Sequence, residues 1–174
     1  MITSMESAVL LSIPEAEELV GALRLEGDPS AAAGVPAHLM LLYPFVPDPD
    51  EGAIEELRYF FAGVDSFPLT FSTVGEFPEV VYLAPDQAAE CHGLIEALAR
   101  RWPGQPPYDG VFAVDEIVPH LTVVATPDAA LRARARATVE PGLPVHSRAQ
   151  EASLWLHGED GWTQCAAFPL AEGE

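Results

Sequence analysis

The chain contains no lysine: its eight basic residues are all arginine, against 27 acidic ones, for a net charge of −19 and a pI near 4.3. Affinity for a nucleic-acid backbone comes from cationic side chains that displace counterions. So acidic a surface excludes long duplexes and extended RNA grooves as partners. It leaves room for a small phosphate compound, or one RNA end, in a locally neutral cleft. Cysteine is scarce too. Cys91 and Cys165 have no metal-type spacing, and two thiols make no disulfide framework. The five histidines (His38, His92, His120, His146 and His157) never pair at i, i+3 or i+4, so neither a zinc site nor another cofactor is expected. No apolar run reaches the roughly 18 residues of a membrane span. Met1 to Glu6 lacks the basic and apolar regions of a secretory leader, and a cytoplasmic protein is expected.

What the chain does have is 49% hydrophobic residues in 174, enough for a real core. Val9 to Ile13 reads as a strand, followed by a helix from Glu15 to Leu25 with Pro14 and acidic residues at its start. Gly27 to Pro36 reads as a loop, and Ala37 to Phe45 as a strand broken by Pro44. A helix follows Pro47 to Asp50. Phe67 to Val74 and Val80 to Leu83 read as strands joined by a turn over Gly75 to Pro78, and Pro85 opens a helix to about Trp102. Pro103 to Gly110 is the turn-rich candidate for a lobe boundary or mobile loop. Val118 to Thr126 is a strand and Pro127 to Val139 a helix with Arg132, Arg134 and Arg136 on a solvated face. Pro144 to His157 and Gln164 to Pro169 are strands joined at Gly158 to Gly161. Paired strands alternating with helices predict an α+β protein with antiparallel-rich sheets, forming one domain over residues 1–174.

The functional signal is an internal echo. Pro36-Ala37-His38-Leu39-Met40-Leu41 and Pro119-His120-Leu121-Thr122-Val123 are two apolar strands, each with a histidine near its start. Residues i and i+2 of a strand share a face. His38 therefore goes with Met40 and Leu42, and His120 with Thr122 and Val124. A lone histidine in such a strand is more often a hydrogen-bonded core residue than a catalyst. Two in matching settings change the balance.

These residues resemble the 2H phosphoesterase superfamily, defined by two copies of His-x-Thr/Ser-hydrophobic on core strands of two lobes. His120-Leu121-Thr122-Val123 matches that motif fully, and His38-Leu39-Met40-Leu41 matches it except at the third position. The flanks GVPAHLMLLYPFVP, GEFPEVVYLAP and VPHLTV look like the 2′-5′ RNA ligase-like branch, and the resemblance spans roughly Val9 to Thr126. It implies two pseudo-symmetric lobes around a central cleft. It further implies a metal-independent phosphodiesterase acting on 2′,3′-cyclic phosphates or 2′-5′-linked nucleotide or RNA ends, with reverse ligation open to it.

Such a reaction moves two protons on opposite sides of one phosphorus, which two imidazoles with ordinary pKa values near 6.5 can do. His38 and His120 are the candidate acid and base, with the roles unassigned. Thr122 is the candidate donor to a non-bridging phosphate oxygen. Met40, standing where the second hydroxyl is expected, donates nothing. Losing one such donor costs about 10²–10³ in rate, so a slower enzyme is expected unless a backbone N–H or another side chain substitutes. Tyr43 is the candidate substrate contact, although strict alternation puts it on the opposite face. Trp155 and Trp162 are expected to pack in the C-terminal hairpin, with base stacking as the other reading. The competing hypothesis is a degenerate 2H fold that binds a nucleotide or phosphorylated metabolite without turnover.

Overall fold

A computed structural model describes residues 5–172. The remaining residues of the expected 1–174 domain, among them Met1 to Ser4 of the segment read for a leader, lie outside the described residues. Eight strands form two four-stranded antiparallel sheets. The first has the order β2-β1-β7-β8, from β1 (Glu6–Ser12), β2 (His38–Leu42), β7 (Glu151–Gly158) and β8 (Gly161–Pro169). The second has the order β5-β4-β3-β6, from β3 (Phe67–Phe77), β4 (Val80–Pro85), β5 (Leu121–Ala125) and β6 (Val145–Ala149). Five α-helices accompany them: α1 (Glu17–Gly27), α2 (Pro29–Ala32), α3 (Glu51–Ala62), α4 (Ala88–Arg101) and α5 (Ala129–Val139). Among the described residues no helix is long and apolar enough to cross a membrane.

Each sheet contains the same unit, a strand, a helix and an edge strand that has a histidine at or just before its start and pairs antiparallel with the first. In one sheet the unit is β1-α1-β2; in the other it is β4-α4-β5. The helices cross over. α1 packs on β5 and α4 on β2, so each unit covers the other's histidine strand. Gly27 permits the first of these approaches, because a Cβ there would stand 2.8 Å from a Val124 methyl.

β1 is buried from Ser7 to Leu11, on both faces. Val9 and Leu11 enter the main core with Leu39, Leu41, Phe61, Leu83 and Leu121, whereas Leu10 joins a smaller cluster with Val35, Trp155, Met40 and Trp162. That alternation separates a packing face from a face available to a ligand. Helix starts follow the expected chemistry: Asp50 accepts the Ala53 N–H at 2.8 Å, and Asp128 those of Ala130 and Leu131.

Five readings of the sequence need correction. Gly27 to Pro36 is not all loop, because α2 occupies Pro29–Ala32. The turn lies at Pro78 and Glu79 rather than over Gly75 to Pro78, because β3 continues to Phe77. Gly75 sits opposite Tyr82, and a Cβ there would fall 2.3 Å from the Tyr82 ring, so the glycine makes room for an aromatic lying across the strand. Pro85 ends β4 rather than opening a helix, and α4 starts at Ala88. Pro144 to His157 is two strands in different sheets, β6 and β7, separated at Gln150, whose carbonyl accepts the Leu170 N–H at 2.9 Å. The crossings between sheets therefore lie at α3 and at Gln150. Pro103 to Gly110 is not a lobe boundary: Tyr108 is anchored by its N–H to the Tyr43 carbonyl, and His92 Nε2 lies 2.9 Å from the Val114 carbonyl further along the same segment.

Candidate active site

β2 and β5, the edge strands of the two sheets, lie against each other. His38 opens β2 and His120 immediately precedes β5, and both imidazoles are half-buried. Their hydrogen bonding is the same. His38 Nδ1 lies 2.8 Å from the Pro36 carbonyl and His120 Nδ1 lies 2.8 Å from the Val118 carbonyl, each oxygen belonging to the residue two positions earlier. A carbonyl only accepts, so each Nδ1 carries the proton and each neutral ring keeps its lone pair on Nε2. Neither Nε2 has a hydrogen-bond partner among the described residues. A core histidine would have spent both nitrogens.

Burial pushes the His38 imidazole down to about 4, the Pro36 hydrogen bond opposing and the charges of Arg24 and His120 adding to the fall. Burial also lowers His120, against its Val118 hydrogen bond.

Two cavities flank the pair. One of about 190 Å³ is lined by His38, Met40, Leu10, Ser30, Tyr43 and Trp162, among others. The other, about 360 Å³, is lined by His120 with Phe77, Tyr108, Phe112, Glu116 and Ile117, among others. Tyr43 of the first lining and Tyr108 of the second are joined by a hydrogen bond, the Tyr108 N–H donating to the Tyr43 carbonyl. No arginine lines either one. Arg132, Arg134 and Arg136 stay on the α5 surface, bonded to the Thr126 carbonyl, to Glu26, and to Glu76 and Glu140. A larger cavity of about 590 Å³ holds neither histidine. It is lined by Glu15, Glu151 and Glu172 with a single Arg148, an excess of negative charge that does not suit a phosphate. Among the described residues no three histidine, cysteine or carboxylate groups cluster as a metal ion requires.

Thr122 stands on β5 opposite Tyr82, half-exposed, and its hydroxyl bonds to no described residue. Met40 stands opposite Leu10 and lines the His38 cavity. Tyr43 also faces that cavity, contrary to strict alternation, because β2 ends at Leu42 and the chain turns at Pro44. Its hydroxyl donates to Glu6. Burial and that hydrogen bond push the phenol up to about 12, so the ring face, and not an ionised oxygen, is what Tyr43 offers. Trp162 stacks on His157 at 4.7 Å and still reaches the His38 cavity, whereas Trp155 is buried with its indole N–H on Ser153.

Two features escaped the sequence reading. The ring of His120 sits edge-on to Phe77 at 5.2 Å and to Tyr82 at 5.4 Å, a frame made possible by Gly75. Behind His38, Arg24 is only 2% exposed and bonds to Asp28, to the Val35 carbonyl and to Ser30 Oγ. Glu17 accepts the Ala37 N–H, so the Pro36 carbonyl that orients His38 is held from both sides. The Arg24–Asp28 spacing of four on a helix was the available signal, although such a pair normally reads as solvated.

The sequence profile of the 2′-5′ RNA ligase superfamily matches residues 13–161. The chain belongs to that superfamily. Solved structures of similar fold include E. coli LigT complexed with 3′-AMP, at 18% identity and a TM-score of 0.64 over 98% of this chain and 100% of that one. A structure described as a phosphoesterase matches at 18% identity and TM-score 0.59, over 97% of this chain and 99% of the other. TT0787 of Thermus thermophilus matches at 18% identity and TM-score 0.54, over 98% and 100%. No curated protein matches the sequence. The architecture expected of a 2H phosphoesterase, two lobes of antiparallel sheet with flanking helices, is the architecture of this member of the superfamily.

Proposed function

We propose that this superfamily member is a phosphodiesterase that opens 2′,3′-cyclic phosphates, or cleaves 2′-5′ links, at nucleotide or RNA ends. The carrying observation is the matched pair of imidazoles, each with Nδ1–H spent on the carbonyl two residues back and Nε2 left unbonded. His38, held neutral down to about pH 4 by burial, acts as the base that takes the proton from water. The new P–O bond forms on that side while the opposite P–O bond breaks, and His120 hands its proton to the leaving oxygen. A bound phosphate raises the His120 pKa and favours the protonated ring this role needs. Thr122 donates to a non-bridging oxygen as charge builds there. The reverse sequence of proton transfers joins a cyclic phosphate to a hydroxyl, which is ligation.

The His120 cavity supports a nucleotide over other phosphodiesters. Phe77, Tyr108 and Phe112 offer ring faces to a base, and Glu116 accepts from a base N–H. The crystallisation of LigT with 3′-AMP supports a ligand of that size. The site remains a place for one phosphate, since no cation lines it.

Purified protein given a nucleoside 2′,3′-cyclic phosphate in chelator should produce a nucleoside monophosphate, and His38→Ala or His120→Ala should stop it. Binding of the cyclic phosphate with no turnover would instead select a binding protein, with Met40 marking the loss of one half-site.

A further inference from the structure

We propose that Ser30 supplies the phosphate-binding hydroxyl that Met40 withholds. The inference rests on the phosphodiesterase reading of the two-histidine cleft and concerns which group replaces a missing donor within it.

Ser30, His38 and Met40 line one cavity of about 190 Å³. Ser30 brings to it a hydroxyl that a backbone N–H already backs up. Asp28 Oδ1 accepts both the Ser30 hydroxyl, at 2.9 Å, and the Ser30 N–H, at 3.0 Å. If the hydroxyl rotates away, Asp28 keeps the N–H and its contacts with Arg24, at 3.3 Å from Nε and 3.2 Å from Nη2. Releasing the O–H therefore strands no buried charge. The oxygen itself is held from behind, because Arg24 Nη2 donates to Ser30 Oγ at 3.2 Å. An oxygen that accepts from a guanidinium has a more polarised O–H and makes a stronger donor.

Arg24 cannot meet the ligand directly, being buried with its nitrogens on Asp28, Val35 and Ser30. Ser30 is the relay through which that fixed positive charge acts on an anion in the cavity. A phosphodiester oxygen turned toward β2 meets Ser30 on that wall, where the full motif would have presented a threonine. Met40 then costs little, because its role has moved to the Asp28–Val35 segment.

The test is a rescue. Wild type, Ser30→Ala, Ser30→Thr, Met40→Thr and the Ser30→Ala/Met40→Thr double variant would be compared for kcat on a nucleoside 2′,3′-cyclic phosphate, for inorganic phosphate affinity and for Tm. Ser30→Ala should lower kcat by about 10²-fold, the usual cost of one oxyanion donor. Ser30→Thr, which keeps a hydroxyl, should lose far less rate than Ser30→Ala. In the double variant Met40→Thr should restore most of the lost rate. Unchanged kcat in Ser30→Ala overturns the proposal. So does a loss that Met40→Thr fails to restore and that follows a fall in Tm, since Ser30 would then only support the loop. If wild type turns over nothing, the phosphodiesterase reading has failed. Phosphate affinity then decides about Ser30: weakened by Ser30→Ala and restored in the double variant upholds the contact, and no change refutes it.

Discussion

The two histidine half-sites make the same hydrogen bond and are built from different materials. His38 rests on a polar foundation: its Pro36 carbonyl is held between the Glu17–Ala37 and Arg24–Val35 hydrogen bonds, over a buried Arg24–Asp28 pair. His120 rests on rings, edge-on to Phe77 and Tyr82, with Thr122 beside it. Neutrality of an imidazole can thus be enforced in two ways. Burial beside a fixed cation drives His38 down to about 4, and burial within an aromatic frame open to a cavity lowers His120. The motif repeats in two different environments.

The largest effect that bears on this contrast is on rate. His38→Ala and His120→Ala should each lower kcat by about 10²–10⁴, the range of one general acid or base, and the double variant should be little worse than either. Steady-state kinetics on a cyclic phosphate check it, and a large effect from only one histidine breaks the proposed partnership. Next is stability. Arg24→Leu leaves Asp28 buried without its partner and should cost about 3–5 kcal/mol in urea unfolding. Arg134→Leu, which removes an exposed ion pair with Glu26, should leave the urea midpoint nearly unchanged. A smaller effect is expected at Gly75→Val, which pushes Tyr82 off β3 for about 1–3 kcal/mol of overpacking and should lower kcat through His120, leaving the His38 titration alone.

A further effect is the pH dependence of stability. His38 binds its proton at 6.5 when unfolded and at about 4 when folded, so between those values the unfolded chain holds more protons. Its contribution is full above pH 6.5 and is lost as the pH falls toward 4. Unfolding midpoints measured across that window should decline, and His38→Asn should flatten the decline. The same numbers place the acid limb of kcat/KM near pH 4, and the fall at higher pH below the ordinary 6.5 of His120.

The half-sites also differ in how far the sequence displayed them. Both histidines, the strand preceding each helix and the hairpin at Gly158 to Gly161 were legible because period-2 patterning and turn residues are local signals. The exchange of strands was not. β6 and β7 are separated by one glutamine, without glycine or proline, and only tertiary pairing tells the two strands apart. Gly75 read as a turn because the ring that occupies its missing side chain comes from another strand. Arg24 drew no reading of its own. It bonds to Ser30 and Val35, which lie in the segment read as a loop.

Catalysis as proposed requires the two unbonded Nε2 atoms to serve one phosphate. Inorganic phosphate titrated into protein with ¹⁵N-labelled imidazoles, followed by NMR, reads this out at the two nitrogens themselves. The Nε2 signals of His38 and His120 should move together along a single binding curve, with His92, His146 and His157 unmoved. Movement of only one of the two, or separate curves for each, would contradict a shared phosphate.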